Sequence, residues 1–72
     1  MEDGTIVNQI RKLRFNRGEM TQQELADLVG VTRQTINAIE AAKYSPSLEL
    51  AFKIATAFGL PLEDVFKYKI DS

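Results

Sequence analysis

The sequence predicts an all-α fold, five short helices in one domain, followed by a short extended tail that suits a β-strand. Three observations carry this. Apolar residues recur at spacings of three and four through most of the chain. Capping residues and glycines punctuate that pattern at short intervals. Strict alternation appears only at the end, in Lys67-Tyr68-Lys69-Ile70.

Residues 1–4 read as a loose end. A first helix is expected from Thr5, because Ile6, Ile10 and Leu13 fall on one helical face, and Gly18 supplies a left-handed stop. Thr21 and Glu24 have the spacing of a capping box that opens a second helix, with Leu25, Leu28 and Val29 on its apolar side and Gly30 at its end. Thr32 is a good N-cap for a third helix running to about Ala42. Pro46 disfavours helix at Ser45, and Ser47 caps a fourth helix with Ala51, Ile54, Ala55 and Phe58 on one stripe, ended by Gly59. Residues 61–66, "PLEDVF", read as a short fifth helix with Pro61 in its first turn and Glu63 and Asp64 favourable to its dipole. Leu48, Leu50, Ile54, Phe58 and Leu60 are expected in the core.

At 72 residues the chain is one domain near the lower size limit for an unstapled core. It has no cysteine and no histidine, which removes disulfides, the usual zinc ligand sets, histidine catalysis and a histidine pH switch. No phosphate-binding loop is present and the carboxylates are explained as caps and solvated faces, so an enzyme is not expected, and neither is a cofactor or metal. With no apolar run of membrane length and no signal peptide, the chain reads as a soluble, cytoplasmic domain without a membrane partner. The net charge of −1 gives no global sign of nucleic acid; only residues 31–46 lean positive, with Arg33 and Lys43 against Glu40.

Residues 21–40, "TQQELADLVGVTRQTINAIE", carry the functional signal. Ala26 lets a second helix approach closely, Gly30 can take the positive φ that turns the chain, and Leu25, Val31, Ile36 and Ile39 fill the wedge between the two helices. This is the logic of a helix-turn-helix, whose second helix enters the DNA major groove. Arg33, Gln34, Thr35 and Asn37 lie on the free face of that second helix, where solvated helices more often carry Glu and Lys.

With "IRKLR" at 10–14, "YSPSLELAFKIA" at 44–55 and "PLEDVF" at 61–66, these residues resemble the Cro/cI-type (XRE-like) helix-turn-helix family of bacterial, archaeal and phage regulators. The resemblance spans residues 6–66 and is greatest to its short, single-domain repressors. It implies a five-helix, lambda-repressor-like DNA-binding domain over residues 1–66, with its helix-turn-helix at 21–41 and a dimerising tail at 67–72. It further implies a repressor that binds a palindromic operator in double-stranded DNA as a homodimer.

In that docking mode Arg33, Gln34, Thr35 and Asn37 face base edges. Arg suits guanine O6/N7 and Gln and Asn suit adenine N6/N7, while Arg33 suits a phosphate equally well and Thr35 a thymine methyl or a phosphate. Backbone contacts are expected from Gln22, Thr32 (first a cap), Lys43, Tyr44 and Ser45, with packing of the Tyr44 ring on the core compatible with that role. Arg14 and Glu40 match a partly buried ion pair of the family, which leaves Arg33 and Lys43 unopposed. Val65, Phe66, Tyr68 and Ile70 hold more apolar area than a short tail can cover within one chain, which points to a two-fold interface in preference to folding back onto the same chain. No small-molecule effector is expected in a core this small; control by concentration, temperature or a partner protein fits better than redox or pH sensing. The alternative reading is an antitoxin-like or other protein-interaction module on the same fold.

Overall fold

The computed structural model describes residues 3–71. Its elements run β1 (Asp3–Asn8), α1 (Ile10–Asn16), α2 (Gln22–Val29), α3 (Arg33–Glu40), α4 (Leu48–Phe58), α5 (Leu62–Val65) and β2 (Phe66–Asp71). The five helices enclose one core, in which Ile10, Leu25, Ala26, Ile36, Ile39, Ile54, Ala55, Phe58 and Val65 are almost fully buried. Each large member contributes about 1.5–3 kcal/mol by leaving water.

Most helix boundaries follow the capping signals. Thr21 and Glu24 form a complete capping box, and the Thr32 and Ser47 hydroxyls accept from the backbone N–H groups of Thr35 and Leu50. Arg17 extends a guanidinium N–H to the Phe58 carbonyl, placing a cation at the C-terminal end of α4, where the helix dipole favours it. The third helix stops at Glu40, two residues short of expectation, because Ala42 turns left-handed (φ 58°). The Ala42 and Lys43 N–H groups then bond back to the Ile39 and Ala38 carbonyls, closing a Schellman motif. An alanine in this conformation costs about 1–2 kcal/mol, so the C-terminal closure of α3 is held against local strain.

The N-terminus departs from expectation. Residues 3–8 form a strand where a loose end and the start of a helix were expected, and α1 begins only at Ile10. Ile6 matched the helical spacing by coincidence; Thr5, Ile6 and Val7 are consecutive β-branched residues, which favour a strand. Their partner is the C-terminal segment: β1 and β2 pair antiparallel, with Gly4 opposite Ile70, Ile6 opposite Tyr68 and Asn8 opposite Phe66. A Cβ on Gly4 would overlap the Tyr68 ring at 2.2 Å, so glycine is what admits the ring across the strand.

Asn8 fastens this sheet to the helices. Its Oδ1 accepts from the Ile10 N–H at 3.1 Å, starting α1, and its Nδ2 donates to the Ile39 carbonyl at 2.9 Å. The Gln9 N–H bonds to the Val65 carbonyl at 2.9 Å, so both strands meet the core at one end of the sheet.

Two expectations for buried residues are corrected. Leu48 is 69% exposed: its spacing to Ala51 and Ala55 continues their stripe, but it is the first residue of α4, one turn before the first buried position. Val65, expected at an interface between subunits, is fully buried in the core of its own chain and has no surface to offer a second copy. Phe66 is half-buried and packs against that core.

Candidate nucleic-acid interface

The geometry around α3 starts from its contacts with α2. Leu25 and Ala26 of α2 and Ile36 and Ile39 of α3 are at most 1% exposed, so the helices meet through close-packed side chains. Gly30 takes φ 76° and ψ 35°, and the N–H groups of Gly30 and Val31 both return to the Ala26 carbonyl. The left-handed residue at this position is what swings the chain into α3.

The two halves of α3 differ. Its C-terminal half is tied down: the Ile39 carbonyl accepts from Asn8, the Schellman closure follows, and Glu40 meets Arg14. Arg14 Nε and Nη2 lie 2.7 and 3.0 Å from the two Glu40 carboxylate oxygens, a bidentate pair, and Nη1 donates to the Met20 carbonyl at 2.7 Å. With side chains 15% and 9% exposed, the pair joins α1, the turn before α2 and the end of α3.

The N-terminal half is free. Arg33 and Gln34 are exposed, and Arg33 enters no ion pair among the described residues. Thr35 is half-buried and its hydroxyl lies 3.0 Å from that of Thr32, so part of its polar capacity is spent within the helix start. Asn37 is exposed and reaches sideways, its Nδ2 donating to Gln22 Oε1 at 3.4 Å. That contact leaves the Gln22 amide donors at the start of α2 beside α3, where the N-terminal end of a helix favours an anion.

Lys43, Tyr44 and Ser45 are exposed in the connection after α3. Tyr44, 51% exposed, lines a cleft of about 260 Å³ with Ile6, Phe66 and Tyr68, so it faces the sheet as well as solvent. Of the expected tail residues Tyr68 and Ile70 are 63% and 52% exposed, and Ile6 of β1, at 40%, lies on their face of the sheet. The described residues contain no cluster of acidic side chains able to hold a metal.

Sequence reasoning passed over Asn8 and Arg11. The second left a visible signal: Arg11, Lys12, Arg14 and Arg17 all fall within eight residues of an otherwise mildly acidic chain.

An exposed polar helix end, held by a packed partner across a tight left-handed turn, is the arrangement with which proteins enter a DNA groove. Comparison with known proteins agrees. A helix-turn-helix family model matches residues 10–65. An uncharacterized HTH-type transcriptional regulator of Methanocaldococcus jannaschii is 55% identical over 62 residues, covering 83% of this chain and 94% of that one. The cryptic phage CTXphi transcriptional repressor RstR of Vibrio cholerae is 36% identical over 58 residues, covering 81% of this chain and 51% of that one. The crystal structure of the restriction-modification controller protein C.AhdI from Aeromonas hydrophila superposes with a TM-score of 0.71 at 30% identity, over 78% of this chain and 80% of that one. The chain belongs to the Cro/cI-type (XRE-like) helix-turn-helix family of sequence-specific, DNA-binding transcriptional regulators.

Replacing Arg14 by Met removes three hydrogen bonds and leaves the Glu40 carboxylate buried without a partner. The expected loss is about 2–3 kcal/mol of stability, discounted for partial exposure, and Glu40→Met in the same chain should recover much of it. Urea unfolding of the single and double variants checks this; an unchanged midpoint for Arg14→Met contradicts it.

Proposed function

We propose that the protein is a repressor that binds a palindromic operator as a homodimer, each subunit laying the N-terminal half of α3 in the major groove. The observation that carries this reading is the division of α3. Its C-terminal half is fastened by Asn8, Arg14 and the Schellman closure, while Arg33 and Gln34 project from the other end without ion-pair partners among the described residues. In this reading Gln34 reads adenine, Arg33 takes a guanine or the adjoining phosphate, and Asn37 and Thr35 stand at the groove edge. Gln22 and Thr32 meet the backbone on one side, and Lys43, Tyr44 and Ser45 on the other.

One recognition helix spans one half-site, too few contacts for tight specific binding. Two subunits place two such helices about 34 Å apart, one DNA turn. The sheet supports that pairing. The two-stranded sheet is held to the helices at one end and leaves Ile6, Tyr68 and Ile70 partly exposed on a single face. A second copy of that face buries them and joins the sheets about a two-fold axis. Repression follows when such a dimer occupies DNA that the transcription machinery needs, and the similar RstR is named a transcriptional repressor. The site of action is the cytoplasm, where the DNA is; no helix among the described residues is long and apolar enough to cross a membrane. Subunit concentration, acting through dimerisation, sets occupancy without a small-molecule effector.

Gln34→Ala should relax preference at one base pair per half-site and cost roughly 1–3 kcal/mol there. Competition binding against duplexes varied one position at a time measures this, and unchanged preference at every position removes Gln34 as a base reader. Tyr68→Lys combined with Ile70→Lys should shift the chain toward its 8.1 kDa monomer in sedimentation while the helices stay folded. Equal sedimentation of the variant and the parent chain contradicts the sheet interface.

A further inference from the structure

One groove is walled by three helices at once. Arg11 of α1, Gln22 of α2, Asn37 of α3 and its C-cap Ala41 surround an open cleft of about 410 Å³, with the Arg14–Glu40 pair as part of its lining. The Arg14 charge is matched by Glu40. Arg11 is exposed and has no ion pair or hydrogen bond among the described residues, which leaves it as an unopposed cation beside the two amide side chains.

Its position in the helix is also unfavourable on local grounds. Arg11 is the second residue of α1, where the helix dipole repels a cation. The first turns of α2, α4 and α5 contain Glu24, Glu49, and Glu63 with Asp64. Only α1 and α3 begin without an acid, and each carries an arginine in that turn, Arg11 and Arg33. Lys12 provides the internal contrast: it is the next residue and also exposed, but it does not line the groove with Gln22 and Asn37 and borders a cleft with Asp64 and Lys67.

We propose that Arg11 binds a DNA phosphate beside the one met by the start of α2, extending the backbone footprint onto α1. The inference rests on the DNA-binding mode proposed above, because a strand brought to Gln22 and Asn37 passes the mouth of the groove that Arg11 shares with them. A phosphate is the partner of matching charge, and a guanidinium there adds affinity and registers the duplex without reading sequence.

Arg11→Gln and Lys12→Gln remove the same charge one residue apart. Each full-length variant is titrated across salt concentrations with a duplex that the parent chain enriches from random DNA, after thermal unfolding has shown that it folds. Arg11→Gln should flatten the slope of log affinity against log salt by about 0.9 per bound subunit, which for a dimer is about a tenfold smaller loss of affinity over a fourfold rise in salt. It should weaken all duplexes alike, and Lys12→Gln should leave the slope as it is. An unchanged slope for Arg11→Gln, or equal flattening by both variants, overturns the assignment, the second because it marks a bulk-charge effect. A slope unchanged in Arg11→Gln while Gln34→Ala still alters base preference overturns Arg11 alone. A parent chain that enriches no duplex overturns the DNA reading and this inference with it.

Discussion

The guanidinium of Arg14 is the interaction on which the arrangement depends. It holds both oxygens of Glu40 and the Met20 carbonyl, and so fixes in one place the body of α1, the approach to α2 and the end of α3. A chain of 72 residues has little core with which to set a helix angle, and a geometry-specific fork of hydrogen bonds supplies that direction. Asn8 acts on the neighbouring carbonyl of Ile39 and ties the same end of α3 to the sheet. α3 is therefore anchored at its far end, and what projects from the near end is held in place by the fold itself, which lowers the ordering cost of any binding there.

The same pair resolves the charge problem. A net charge of −1 argues against a nucleic-acid protein only if charges are spread evenly. Here four of the ten acids, Glu24, Glu49, Glu63 and Asp64, lie in the first turns of α2, α4 and α5, where they serve the helix dipoles, and Glu40 is occupied by Arg14. Arg33 and Lys43 are left without ion pairs among the described residues on the side of α3. Half of the acids thus serve helix starts or the Arg14 pair, and none of these five opposes Arg33 or Lys43 in an ion pair.

The helical part of the fold was legible in the sequence because its signals are local. Thr21 with Glu24, Thr32, Ser47, Gly30 and Gly59 each act within one turn, and each marks an observed boundary. The strand character of the tail was legible from its alternation. β1 was not, since its partner lies at the other end of the chain and the spacing of Ile6 to Ile10 imitates a helix face. Val65 was misplaced for the same reason: only the completed fold shows that the residue before the strand points into the core. In the interface, the exposed arginine, amides and hydroxyls of α3 could be picked out as a set, whereas Arg11 could not be placed without knowing that α1 borders the groove between α2 and α3.

The proposed function requires two copies of this chain to present two copies of α3 to one symmetric stretch of DNA. Selection of bound sequences from random duplexes, with the mass of the complex measured on the enriched DNA, tests it most directly. An inverted repeat whose half-sites lie about one helical turn apart, with two chains per duplex, is the expected result. Enrichment of a single unrepeated site by one chain, or no enrichment at all, would contradict it.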